Sequence, residues 1–266
     1  MSTELAKKYE ELIKQLKELL GTKPLFYLKF CRKKEYAQDV CNGKLYANTV
    51  DFFRKIEIES GEHGQGDKNE LILSMVSESI SMFDNETGNL IAKIDGGKVN
   101  IAINKDEKVP IVSFIGISLE DMKIIYADET HVDFQLPFST KEYSVMQDKF
   151  GQYCVIIYAR ELEQHIDNAF KSKNCKYIFD SVQYCCINRL DRIYAFANCN
   201  ERRFLYKNED FSYQREYRLA VNKEMPNDHY LRIGKIKNAY ILPSESLHNI
   251  AFTIKYTSKI MEKEIK

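Results

Sequence analysis

The chain lacks any uncharged apolar run of about 18 residues, the minimum for a membrane-crossing helix. Its opening residues Met1-Ser2-Thr3-Glu4-Leu5 also lack the basic segment and apolar stretch of a secretory signal. The expected setting is therefore the cytoplasm, with no membrane partner. Net charge is absent too, since 39 Lys and Arg stand against 39 Asp and Glu. Without a global field to draw in phosphates, nucleic acid is not an expected partner. The local basic spots are Arg202-Arg203 and Lys235-Ile236-Lys237, with Phe204 and Tyr240 nearby. There is no Cys-x-x-Cys pair: the seven cysteines (Cys31, Cys41, Cys154, Cys175, Cys185, Cys186, Cys199) are odd in number and scattered. They read as buried free thiols rather than a disulfide framework or a metal site. Missing as well are the Gly-x-x-x-x-Gly-Lys-Ser/Thr phosphate loop, the dinucleotide fingerprint, the Gly-x-Ser-x-Gly elbow and His-Glu-x-x-His. Ordinary NTPase, hydrolase and zinc-protease chemistry is disfavoured, and no cofactor is indicated.

What is present is a foldable composition, 44% hydrophobic and 29% charged over 266 residues. The pattern of elements predicts an α+β fold: a mixed, largely antiparallel sheet with flanking helices and an N-terminal helical arm. Residues 22–266 read as one domain and 1–21 as the arm. In the arm, Leu5, Tyr9, Leu12, Leu16 and Leu19 form a two-heptad apolar seam, with Ser2 or Thr3 as N-cap and Gly21 as the stop. A helix this short is marginal alone and must lay its seam on something. The seam is the candidate partner-binding surface and the reason to expect a homo-oligomer.

Beyond the arm, strands are expected at Leu25–Phe30 and Lys44–Asn48, with a helix from Lys33 to Cys41 and another capped by Thr49. From Leu71 the apolar period becomes two, an antiparallel meander with a turn at Asp84–Asn89. Asp95-Gly96-Gly97-Lys98 then reads as a second hairpin turn, between Leu90–Ile94 and Val99–Ile103. Val109–Ile117 is apolar throughout apart from Ser113 and Gly116, and reads as a central strand. Ser139-Thr140-Lys141-Glu142 is a capping box. Further strands are expected at Tyr153–Tyr158, Lys176–Ile187, Tyr217–Val221, Tyr230–Ile233, Ala239–Leu242 and Ala251–Tyr256, with a helix over Glu161–Lys171.

Two groups of residues could carry chemistry. The first joins Lys29, Asn48, Thr49 and Arg54 to the glycine-rich stretch Gly61–Glu70. Asn48, Arg54, Asp67 and Glu70 are candidate ligand-binding residues for an anionic or hydroxyl-rich molecule, and Glu62, Asp67 and Glu70 could hold a divalent cation. The bland alternative is a solvated loop. The second group is Asp210-Phe211-Ser212-Tyr213-Gln214-Arg215-Glu216-Tyr217-Arg218-Leu219. Glu216 and Arg218 lie two apart on a strand, hence on one face, where an inward carboxylate and guanidinium must pair with each other or with a ligand. Tyr213 and Arg218 are the ligand-binding candidates here, and Lys29 and Glu216 the catalytic ones.

The early Tyr-x-Lys-Phe, Gly-Lys-Leu-Tyr-x-Asn-Thr-x-x-x-Phe-Arg and Gly-Asp-x-x-Glu, followed by a late aromatic-x-x-Glu-Tyr-Arg, resemble a group of bacterial and phage proteins that includes the AbiGi-like proteins associated with abortive phage infection. The likeness covers Leu25–Glu70 and Phe211–Val221. Where members carry Trp in the late motif, this chain offers Phe211 or Tyr213. The resemblance implies a compact α+β domain and a role in phage–host conflict. Two functions are then in view. One is a protein-binding, antitoxin-like or defence-inhibitor-like factor whose partner is another protein, such as a toxin or defence enzyme. The other is an ADP-ribosyltransferase-like enzyme using Lys29, Asn48, Thr49 and Glu216. Everything functional depends on the Glu70 segment and the Glu216 strand meeting around one concavity.

Overall fold

The computed structural model describes residues 14, 15, 18, 21–61, 66–128, 130–171, 175–185 and 189–255. Leu5, Tyr9, Leu12, Leu16 and Leu19, and with them the expected arm, lie outside the described residues, as does Glu62. The first strands in chain order are β1 (Pro24–Cys31), β2 (Lys44–Tyr46), β3 (Asn48–Thr49), β4 (Leu73–Phe83), β5 (Leu90–Ile101), β6 (Pro110–Ser118), β7 (Lys123–Ala127) and β8 (His131–Gln135). They are followed by β9 (Tyr153–Tyr158), β10 (Tyr177–Ser181), β11 (Gln183–Tyr184), β12 (Tyr206–Lys207), β13 (Glu216–Val221), β14 (Tyr230–Arg232), β15 (Ala239–Pro243) and β16 (Ala251–Lys255). The helices are α1 (Lys34–Cys41), α2 (Val50–Ser60), α3 (Thr140–Phe150), α4 (Ala159–Lys171) and α5 (Leu190–Ala197). The fold is α+β with mostly antiparallel sheets. No described helix is long and apolar enough to cross a membrane.

Backbone contacts divide the chain into two compact units, one of Met1–Leu45, Phe114–Ala169 and Leu231–Lys266, the other of Tyr46–Ser113 and Phe170–Tyr230. In the first unit β1 pairs antiparallel with both β6 and β9, Tyr27 facing Gly116 and Ile157, and β15 pairs with β9. A second sheet, ordered β16-β8-β7, adds Val132 and Phe134 to a core with Leu28, Ile117, Met146 and Cys154. The capping box that opens α3 forms in full, Ser139 accepting from the Glu142 N–H while Glu142 takes the Ser139 N–H. The helix stops at Gly151, where φ is +132° and any Cβ would lie 2.3 Å from the Cys31 carbonyl, so only glycine fits.

In the second unit β13 lies between β10 and β6, and β3 pairs with β6 through Asn48–Ile111 and Thr49–Pro110. Its core gathers Val50, Leu71, Leu73, Ile111, Phe196 and Phe204. Thr49 caps α2 by accepting the Phe52 N–H. The period-two stretch forms one long hairpin of β4 and β5 rather than a meander. Asp95-Gly96-Gly97-Lys98 is not a turn: these residues sit inside β5, in register with Ser79 to Val76. The glycine at 96 serves close approach instead, since a Cβ there would meet the Ser77 carbonyl oxygen at 2.2 Å. The reversal is made at Asp84–Asn89, where Asp84 Oδ1 accepts from the N–H groups of Glu86 and Thr87 and from the Thr87 hydroxyl, and Gly88 takes φ +71°.

Candidate functional site

Strand alternation puts Glu216 and Arg218 on the buried face of β13, with Tyr217 only half buried between them. Arg218 donates from Nε to Glu216 Oε1 at 2.8 Å, from Nη1 to Glu70 Oε1 at 2.7 Å and from Nη2 to Glu70 Oε2 at 3.2 Å. A fourth bond runs from Nη1 to the Phe204 carbonyl at 2.8 Å. The Glu70 segment and the Glu216 strand therefore meet through one guanidinium. Lys207 completes the group, its Nζ donating to Gln214 Oε1 at 2.8 Å and to Glu216 Oε2 at 3.1 Å. The Ser113 hydroxyl donates to Glu216 Oε1 from β6, and the Glu216 N–H is accepted by the Tyr184 hydroxyl.

Both carboxylates are flanked by left-handed non-glycine backbone, Leu71 at φ +52° after Glu70 and Arg215 at φ +45° before Glu216. Such conformations cost on the order of 1–3 kcal/mol each and persist only where the surroundings over-determine them. The ion pairs supply that determination. Burial opposes charge on Glu216, but Arg218 first and Lys207 second outweigh it and hold the carboxyl far below the usual range. Burial likewise opposes charge on Arg218, and Glu216 and Glu70 outweigh it in turn. At Asp67 the balance runs the other way. Burial, then the Glu70 charge, raise it from 3.8 to about 6.

The group is sealed. Arg218, Glu216 and Lys207 are 2%, 4% and 7% exposed, and Glu70 and Asp67 are also buried. The two segments meet in a buried ionic cluster and not around a concavity. Both side-chain oxygens of Glu216 are engaged internally, which leaves the carboxylate turned away from any ribose hydroxyl. A cleft of about 520 Å³ exists elsewhere in this unit, lined by Gln183, Arg189, Asp191, Tyr194, Asn200 and Arg202 among others; it contains none of the candidate catalytic or ligand-binding residues, and of the basic spots only Arg202.

The remaining candidates are placed as follows. Arg54 clamps the loop: Nε donates to the Glu70 carbonyl at 2.7 Å, Nη2 to the Leu71 carbonyl at 3.3 Å and Nη1 to Glu107 at 3.0 Å. Gly66 lies against α2, where a Cβ would meet the Glu57 nitrogen at 2.5 Å, so this part of the loop is fastened to a helix. Asn48 lies in β3, and Tyr213 accepts from Gln214 Nε2 at 3.4 Å. Lys29 belongs to the first unit, its ammonium 5.4 Å from the centre of the Phe114 ring. Arg203 is no surface cation, since it forms a buried two-bond pair with Asp106 at 2.6 and 2.7 Å. Among the described residues, no group of three or more His, Cys, Asp or Glu is placed to hold a metal ion.

Sequence reasoning misses Lys207, Ser113 and Tyr184. Ser113 carries a signal, a lone hydroxyl in an otherwise apolar strand. Lys207 does not, because nothing local shows a lysine between Tyr206 and Asn208 to be buried. Comparison of the chain with protein-family models, with curated proteins and with solved structures gave no match.

Proposed function

We propose that this chain acts by binding protein, as an antitoxin-like or defence-inhibitor-like factor of phage–host conflict, and that the β4–β5 hairpin is its contact surface. The setting follows from the resemblance of Leu25–Glu70 and Phe211–Val221 to the AbiGi-like group. The mode of action rests on one observation. The hairpin is an amphipathic ribbon whose apolar side chains stand in solvent, with Val76 62%, Met82 52% and Ile94 57% exposed. Two-stranded hairpins have little stability of their own in water, and a contiguous apolar surface of this kind marks an interaction site. The enzymatic alternative is less favoured, because its carboxylate, Glu216, is buried and bonded on both oxygens.

The test is co-purification from a native host, comparing wild type with Ile94→Asp by mass spectrometry. A protein retained in stoichiometric amount by wild type and lost by Ile94→Asp is the expected result. Consumption of labelled NAD in lysate, abolished by Glu216→Gln in protein that remains folded, would return the balance to the enzyme.

A further inference from the structure

The β4–β5 ribbon has two unlike faces. Alternation puts Ser77, Ser79 and Ser81 on one side, opposite Gly97, Asp95 and Lys93. The other side carries Val76, Ile80 and Met82 on β4 against Ala92 and Ile94 on β5. Phe83, Leu90 and Ile91 lie at the bulge beside the turn, where each is more than half exposed, and Phe83 follows the serine side of β4 with Leu90 as its cross-strand partner. A sheet this strongly one-sided is built to have its apolar face covered.

We propose that the apolar face is covered by the same face of a second copy of this chain, the two ribbons packing as a four-stranded sandwich about a two-fold axis. This deepens the proposed function and rests on it: the partner at rest is another copy, and a target protein must displace it. One observation, charge, favours a second copy. The polar interruptions of the apolar face are Glu78 on β4 and Lys98 on β5, one of each sign. A two-fold arrangement that lays β4 of one copy over β5 of the other brings each Glu78 toward the other copy's Lys98. The face is therefore complementary to itself, as an isologous interface must be. It has no excess of either sign for nucleic acid or an anionic bilayer.

The experiment is sedimentation equilibrium of the full chain at micromolar concentration. Wild type is expected at twice the chain mass of 31.2 kDa. Ile80→Asp and Ile94→Asp each place a carboxylate in the apolar contact and are expected to weaken the dimer roughly a hundredfold or more. Ser79→Asp, on the serine face, is expected to leave it intact. Glu78→Lys and Lys98→Glu are each expected to weaken self-association, and mixing the two variants to restore it. Recovery on mixing cannot come from a damaged hairpin, because each chain still carries its own reversed charge. A monomeric wild type, or a dimer that both aspartate variants leave intact, overturns the inference. If wild type is monomeric while Ile94→Asp still loses the co-purified target, self-pairing falls and the protein-binding reading stands. If Ile94→Asp abolishes the dimer and no target is ever retained, the dimer stands and the masking function falls.

Discussion

Asp67 and Glu216 act in opposite senses on the pH response of the second unit. The Asp67 carboxyl is raised from 3.8 to about 6, first by burial and then by Glu70. The folded chain therefore holds this proton more tightly than the unfolded chain, so stability falls as pH rises between about 4 and 6 and is level above. Glu216 acts in the opposite sense. Its carboxyl is depressed on folding, so its contribution is present above the ordinary carboxylate range and is lost as pH falls below it. Asp67→Asn keeps the oxygen that accepts the Asn69 N–H and removes the charge. Each tenfold change in proton affinity is worth about 1.36 kcal/mol, so this variant is expected to raise stability at pH 7.5 by up to about 3 kcal/mol. It should also flatten the slope between about pH 4 and 6. Urea unfolding across that range checks it, and a wild type without the slope would contradict the buried state of Asp67. Glu216→Gln leaves Lys207 and Arg218 facing one carboxylate fewer. The expected cost is about 3–5 kcal/mol, little changed by salt because the pair is shielded from solvent. A urea midpoint equal to that of wild type would mean the cluster is not what holds β13 to the Glu70 segment.

Among the elements, the hairpin shows why part of the fold is legible in sequence and part is not. Strands β1, β9 and β13, helix α3 with its capping box and the Thr49 cap of α2 all declare themselves in local chemistry: apolar period, a hydroxyl before a helix, a glycine after one. The same local reading takes Asp95-Gly96-Gly97-Lys98 for a turn, because two glycines permit a reversal as readily as a close strand approach. Only the partner strand decides which applies. Helix α5 and the strand pair β7–β8 escape it, since Leu190–Ala197 is short and Lys123–Ala127 lacks clean alternation. The site follows the same rule. Glu216 and Arg218 are readable as an inward pair from their spacing, whereas Lys207 and Tyr184 come from distant chain and have no local mark. If Gly96 serves close approach, Gly96→Val must push a side chain into the β4 backbone at Ser77 and Glu78. The expected cost is about 1–3 kcal/mol, that of overpacking. It should be read as loss of amide-exchange protection in β4 and β5 while α2 and β13 remain protected. A variant with wild-type protection throughout would restore the two-hairpin reading.

For the whole molecule the governing quantity is its charge balance, 39 against 39. With a pI near 7.0, copies meet at neutral pH without long-range repulsion, so apolar contact sets their association. The buried pairs Arg218 with Glu70 and Arg203 with Asp106 lie within the second unit and hold it together without exposing charge. The ribbon exposes apolar side chains on that unit, and covering it stabilises the folded state alone, since an unfolded chain has no ribbon to pair. Stability must then depend on protein concentration. A hundredfold rise in concentration adds roughly 2.7 kcal/mol per dimer, or about half that per chain. For a chain of this size that corresponds to about 3–5 °C in the midpoint of the unit that carries the ribbon. Thermal unfolding followed at two concentrations a hundredfold apart should show this upward shift in wild type and lose it in Ile94→Asp. A wild-type midpoint independent of concentration would mean the ribbon stands uncovered between copies, and its apolar face would then have to be reserved for a different protein.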